Sequence, residues 1–282
     1  MRRPVACFVH RGCPTFLSIA VAHAANAGFR PVVIGDQGAQ CRDAEFVDIR
    51  EFEQSRREFR SVYKHISVSD YEYEAFCYER WFVIRDFMRF ESEPLWVFDH
   101  DVLSFEGLIN LGEGILWSKK SNPFMFNSAW TSLISGIEPL NVLTSYYTQV
   151  FEVRSLREAL SIKYAWEGSP HLSDMYLLLE LSELDGSMFL DAYHRSEQIG
   201  IDQNMLQNMS IGARFELLHG YKLVTWQQGK PLVKLRDGGY QRFYTLHFQG
   251  NAKYLMPSMA QVPFENEDLI RERCARMIGT AA

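Results

Sequence analysis

Short unbroken apolar runs alternate along the chain with segments in which apolar residues recur every three or four positions. The first rhythm marks strands buried on both faces, the second amphipathic helices. Val5 to Val9 is a run of the first kind, β-branched in part. Phe16, Ile19, Ala20, His23 and Ala24 follow at helical spacing, and Asn26-Ala27-Gly28 closes that helix with a residue that tolerates left-handed backbone. Residues 31–36 read as a second buried strand and 45–49 as a weaker third. Strand, helix and strand on short links are the opening of a parallel α/β sheet.

Residues 50–64, charged and aromatic, read as a surface helix. Residues 71–90 are predicted as a stronger helix with Phe76, Arg80, Val83 and Phe87 along one face, halted before Pro94. Residues 95–98 form the next strand, and Ile115-Leu116-Trp117 and Phe124-Met125-Phe126 also read as strands. Helices are expected at 140–151, 155–166 and 173–184, the last with Ser173-Asp174 as its N-cap region. Beyond Tyr221 the pattern changes to strands at 222–226, 232–235 and 240–246, with tight turns at Gln228-Gly229-Lys230 and Asp237-Gly238-Gly239. A charged helix is expected at 266–277.

At 282 residues, with no repeat and no linker, the chain suits one large domain. With 47% hydrophobic and 14% aromatic residues it can bury a full core. The net charge of −6 comes without a basic tract, which argues against nucleic-acid binding and against tight attachment to an anionic membrane. Five scattered cysteines without a C-x-x-C read as reduced thiols, and no stretch reads as a membrane span or a leader, so a cytoplasmic protein is expected.

Three motifs carry chemistry. Asp99-His100-Asp101 directly follows the apolar strand, where a strand end opening into a loop presents charge that its interior would hide. Two carboxylates so placed suit a hard divalent cation, with phosphates in the remaining positions; alternating side chains turn His100 away from them. Downstream, His247-Phe248-Gln249-Gly250-Asn251-Ala252-Lys253 offers an imidazole for Mn²⁺, a glycine that lets backbone N–H groups approach a phosphate, and a cation for a leaving diphosphate. Between them, Gly200-Ile201-Asp202-Gln203 reads either as a helix start capped by Asp202 or as a group that holds sugar hydroxyls. Asp174 has two readings as well, as a helix cap or as a base in an acceptor cleft. Asn127-Ser128 is a candidate for the acceptor side or a polar turn, and Trp81, Trp130 and Trp166 read as core rather than as sugar platforms.

The order of these motifs resembles the glycogenin-like and lipopolysaccharide-galactosyltransferase-like family of retaining glycosyltransferases, within the GT-A fold of nucleotide-diphospho-sugar transferases. The chain departs from that pattern where Tyr254-Leu255 follows Lys253 and where Gln207 follows Leu206. The resemblance implies a GT-A-type, Rossmann-like mixed α/β sheet flanked by helices, with a helical insertion and a C-terminal β-hairpin region. It divides the single domain 1–282 into a nucleotide-sugar-binding half, 1–120, and an acceptor-side half, 121–282, that carries the C-terminal metal and phosphate motif. It implies Asp99, Asp101 and His247 as ligands to Mn²⁺ or Mg²⁺. Arg80, Gly250 and Lys253 would bind the nucleotide diphosphate. Asp202 and Gln203 would face the transferred sugar, Gln203 near the anomeric carbon. The expected partners are a nucleotide-sugar donor, with uracil as its base, and a glycan or glycolipid acceptor, with peripheral membrane contact allowed. A sugar-nucleotide hydrolase, a nucleotidyltransferase and a non-catalytic nucleotide-sugar-binding protein are the competing readings. The poorly glycine-rich His10-Arg11-Gly12-Cys13-Pro14 speaks against the nucleotidyltransferase.

Overall fold

Val5, Ala6, Cys7 and Phe8 are all buried, as a strand covered on both faces requires. They lie in β1 (Val5–His10), followed by α1 (Thr15–Asn26) and β2 (Arg30–Gly35). The computed structural model describes residues 3–12, 15–118, 123–127, 130–168, 171–191, 196–206 and 214–261. Ser128, Gln207, Cys13, Pro14, Cys274 and the helix expected at 266–277 lie outside them.

β3 (Glu45–Asp48) pairs with β2, then α2 (Glu53–Val62) and α3 (Tyr71–Met88) lead to β4 (Leu95–Phe98). Asp70 caps α3 by accepting from the N–H groups of Glu72 and Tyr73. β5 (Val102–Ser104), α4 (Leu108–Ser118), β6 (Met125–Asn127) and β7 (Thr131–Ile134) come next. The helical stretch is α5 (Glu138–Glu152), α6 (Arg154–Trp166) and α7 (Asp174–Leu184), returning to β8 (Phe189–Asp191). The C-terminal part holds β9 (Leu217–Leu218), β10 (Tyr221–Lys222), β11 (Val224–Gln227), β12 (Lys230–Lys234), β13 (Tyr240–Arg242), β14 (Thr245–His247) and α8 (Met256–Gln261).

The described strands build a seven-stranded sheet in the order β3-β2-β1-β4-β7-β6-β8. β3, β2, β1 and β4 are mutually parallel, whereas β7 runs antiparallel to both β4 and β6. Strand order reverses at β1, since β2 lies on one side of it and β4 on the other. In open α/β sheets ligands usually bind outside the carboxyl ends of the strands at such a switch point. Helices α2, α3 and α5 cover one region through a cluster of Phe59, Tyr63, Tyr78, Phe82, Tyr147 and Phe151, whose rings meet at centroid distances from 4.8 to 5.8 Å.

The structure corrects several expectations. Ile115-Leu116-Trp117 is the end of α4, not a strand. A triplet is too short to fix a period, and the helical spacing shows only when Leu108 and Leu111 are counted with Ile115. The strand predicted at 240–246 is broken, because β13 continues the β11-β12 hairpin while β14 leaves it to pair with β5, a strand unmarked in the sequence. The segment predicted at 222–226 likewise divides between β10 and β11. The Gln228-Gly229 turn is as expected, with φ of 52° and 73°, the left-handed pair that matches the twist of a two-residue hairpin.

Candidate functional site

Asp99 follows β4 at its carboxyl end, where its N–H donates to the Trp130 carbonyl at 2.9 Å. A turn closed by Val102 N–H to the Asp99 carbonyl, 3.2 Å, then feeds β5. β14 pairs antiparallel with β5 and sets His247 opposite Val102, so the imidazole arrives beside Asp101. Donor atoms of Asp99, Asp101 and His247 thereby lie within 4.8 Å of one another. Residues nearly 150 positions apart in sequence meet because of one two-stranded pairing.

The donor set fits a divalent cation on the structure's own terms. Asp101 Oδ1 is buried and accepts no hydrogen bond, while His247 Nε2 stands 3.5 Å from it. Its other oxygen is 3.1 Å from Lys253 Nζ. Burial alone would raise the Asp101 carboxyl; His247 and Lys253 beside it outweigh burial and hold it below its ordinary range. His247 shows the reciprocal effect, since burial would lower it and the carboxylates of Asp101 and Asp99 raise it. Its Nδ1 donates to the Gln203 carbonyl at 2.5 Å, which leaves Nε2 as the nitrogen facing the carboxylates. Trp130 lies flat against the ring, centroids 5.5 Å apart and planes 10° from parallel.

His100 is not among the three converging residues. It packs edge-on against His10, centroids 4.4 Å apart, and its Nε2 is 3.2 Å from Lys253 Nζ. An ammonium only donates, so this nitrogen accepts. Burial pushes the His100 pKa down to about 4, consistent with a neutral ring. Lys253 sits in a 3-10 turn, Gly250–Leu255, entered through Gly250 at φ 58°, with open space around the glycine.

Arg80, on α3, bridges two carboxylates: Nη1 donates to Asp99 at 2.6 Å and Nη2 to Asp174 at 2.8 Å. Burial opposes its charge, and Asp99 and Asp174 more than restore it, so its pKa rises well above the arginine norm. Asp174 also accepts from Trp81 Nε1 at 3.1 Å. The cap of α7 is Ser173, which accepts from Tyr176 N–H, so Asp174 occupies the first helical turn with its carboxylate turned inward to Arg80.

Asp202 starts no helix: among the described residues, 200–206 carry bridges at Ile201 and Leu206 and no helical turn. Its side chain has no solvent exposure, Oδ1 takes Lys222 Nζ at 2.5 Å, and Oδ2 accepts the His247 N–H at 2.9 Å. Gln203 is half-buried beside His247. Thus Asp99, Asp101, His247 and Lys253 share one site, Arg80 reaches it through Asp99, and Asp174 and Asp202 stand behind it, each tied to an internal cation.

Trp130 is core, as its sequence reads, but nothing in the sequence announces that its ring covers His247, and sequence reasoning missed Lys222, which reads only as the first residue of a strand. The one signal for Lys222 was its place between Tyr221 and Leu223 in an otherwise apolar stretch. The described helices include none long and apolar enough to cross a membrane.

No family model matches the chain, and no curated protein matches it. Solved structures do. A galactosyltransferase, LgtC, in complex with donor and acceptor sugar analogues superposes with a TM-score of 0.46 at 11% identity, covering 91% of this chain and 95% of that one. Mouse xyloside xylosyltransferase 1, in its apo form, gives 0.45 at 12% identity over 70% and 92%. The glycosyltransferase GlyE of Streptococcus pneumoniae gives 0.35 at 11% over 70% and 47%. These superpositions are partial, and the functional reading rests on the site's own side chains.

Proposed function

We propose that the chain is a metal-dependent glycosyltransferase that moves a sugar from a nucleotide-diphosphate donor, a uridine diphosphate sugar, to a glycan or glycolipid acceptor with retention of anomeric configuration. One observation carries this: Asp99, Asp101 and His247 converge with Lys253 just beyond the carboxyl end of β4. Carboxylates, an imidazole and a mobile ammonium are the groups that a divalent ion and a leaving diphosphate need in one place.

Asp99, Asp101 and His247 would hold Mn²⁺ or Mg²⁺. Bound there, the ion supplies positive charge against the diphosphate as it departs. Lys253 Nζ, now 3.1 Å from Asp101, is the chain's own cation for that charge. Arg80 orients Asp99, and it is assigned to the nucleotide or its phosphates. Gln203 is assigned to the sugar side, near the anomeric carbon. Retention is favoured because an inverting reaction needs a free carboxylate base. Asp174 is held by Arg80 and Asp202 by Lys222, which leaves neither available to deprotonate an acceptor. In a retaining transfer the departing phosphate oxygen can take the acceptor proton on the same face.

The test is nucleoside diphosphate release from a panel of nucleotide sugars, with and without Mn²⁺, followed by product masses when saccharide and glycolipid acceptors are added. Metal-dependent release with a mass gain on an acceptor is expected; release to water alone would make the protein a hydrolase. A fully active Asp99→Ala/Asp101→Ala variant would end the metal reading.

A further inference from the structure

Resting on that reading of the metal site, we infer that Asp202 and the buried Lys222 form a positioning pair for His247, and that Asp202 does not touch the sugar.

Three hydrogen bonds fasten residue 247 to segment 200–206. Its N–H donates to Asp202 Oδ2 at 2.9 Å, its carbonyl accepts Met205 N–H at 2.8 Å, and its Nδ1 donates to the Gln203 carbonyl. Two positions earlier, Thr245 Oγ1 accepts the Asp202 N–H at 3.1 Å. Trp130 ties the two segments together, since its ring covers the imidazole while its Nε1 donates to the Asp202 carbonyl at 3.1 Å. The backbone and ring of His247 are therefore both fixed by groups on one segment, and the Asp202 carboxylate is the charged member among them.

A buried carboxylate needs a partner. Lys222 provides it with no solvent exposure of its own, its ammonium lying between Asp202 and Glu197. The rings of Phe215 and Phe243 flank that ammonium at 4.9 and 5.8 Å. Lys222 N–H also donates to the Met205 carbonyl at 3.0 Å, so one residue holds the segment by its backbone and its side chain. Gly200 makes the approach possible. Its φ is 84°, its carbonyl accepts Tyr244 N–H at 2.6 Å, and a Cβ there would stand 2.6 Å from the Arg242 carbonyl oxygen. Groups behind a metal ligand set its orientation, and their loss costs about 10- to 100-fold in metal affinity.

Mn²⁺ binding, read from the free-ion electron paramagnetic resonance signal, tests this on wild type, Asp101→Ala, Asp202→Ala, Asp202→Asn and Lys222→Met. Circular dichroism checks folding, and diphosphate release from a uridine diphosphate sugar panel is read across Mn²⁺ concentration. Asp202→Ala and Lys222→Met are expected to weaken Mn²⁺ binding about tenfold or more, and Asp202→Asn, which can still accept the His247 N–H, by less. Release by Asp202→Asn should shift in its half-saturating Mn²⁺ rather than in its rate at saturation. Should Lys222→Met or Asp202→Ala fail to fold, Lys222→Arg and Asp202→Asn decide on the same two readouts. A rate depressed about 100-fold at saturating metal, with Mn²⁺ affinity unchanged, would make Asp202 a catalytic residue and overturn the inference. If Asp101→Ala loses the ion while every Asp202 and Lys222 variant keeps wild-type affinity, the inference falls alone. If Asp101→Ala binds Mn²⁺ as well as wild type, the metal reading and the inference fall together.

Discussion

Removing Arg80 should cost stability through one bond more than the other. Its guanidinium is 2.8 Å from Asp174 and 2.6 Å from Asp99, but the surroundings differ: the side chains of Arg80, Asp174 and Asp99 are 12%, 5% and 30% exposed. With an effective dielectric of about 20, a unit pair at 2.8 Å attracts by about 6 kcal/mol, and desolvation of both ions offsets most of this. The intact pair is thus worth little net, whereas Arg80→Met strands a buried carboxylate at about 3–5 kcal/mol. The outer bond to Asp99 adds no more than about 1 kcal/mol because solvent screens it. Asp174→Asn should be milder, because the amide still accepts from Trp81 Nε1 and Arg80 keeps Asp99. The double variant Arg80→Met/Asp174→Asn removes the stranded charge and should be more stable than Arg80→Met alone. Urea unfolding of the four proteins at pH 7 is expected to give a coupling of about 2–3 kcal/mol. Additive effects, within about 0.5 kcal/mol, would mean that Arg80 does not hold Asp174. The carboxylate would then be free to act as a base, as an inverting transfer requires.

Three further outcomes are expected. Mn²⁺ at 100 times its Kd should stabilise wild type by about 2.7 kcal/mol, seen as a rise in Tm of about 5 °C, and should leave Asp99→Ala/Asp101→Ala unmoved; an equal rise in both would place the ion elsewhere. Gly200→Ala forces a side chain into left-handed backbone and against the Arg242 carbonyl, so a loss of about 1–3 kcal/mol in urea is expected together with weakened Mn²⁺ binding, and wild-type values for both would remove the close approach from the account. Glu74, nearly buried and accepting from Ser67, has its pKa raised by burial and by the charge of Asp174. The folded state then holds that proton more tightly than the unfolded chain, so its contribution is fully present below the ordinary glutamate pKa and is lost as pH rises through the folded value. Urea midpoints between pH 4 and pH 8 should show Glu74→Gln gaining on wild type as pH rises, and a pH-independent difference would refute the assignment.

The opening β1-α1-β2 unit, the long α3, the helices from 138 to 184 and the Gln228-Gly229 hairpin were legible because their signals are local. Apolar period, a capping residue and a left-handed turn act within a few positions, and the chain carries them wherever it goes. The acidic doublet was legible for the same reason, since a strand end advertises itself by the run before it. What α4 and β5 became was not, because a triplet of apolar residues satisfies either period.

The partners of charged groups were least visible. In the sequence Asp174 and Asp202 are equivalent to any cap or base, Lys222 resembles a surface lysine, and Trp130 resembles core. The fold puts Arg80 against Asp174, Lys222 against Asp202, and Trp130 over His247. The sequence by itself determined the elements whose signals are local and marked Asp99, Asp101 and His247 as candidate ligands. Only the tertiary structure decided which carboxylates face the site and which are spent on internal cations, because a charge removed from water must be neutralised by whatever the packing brings near, and that neighbour lies anywhere along the chain.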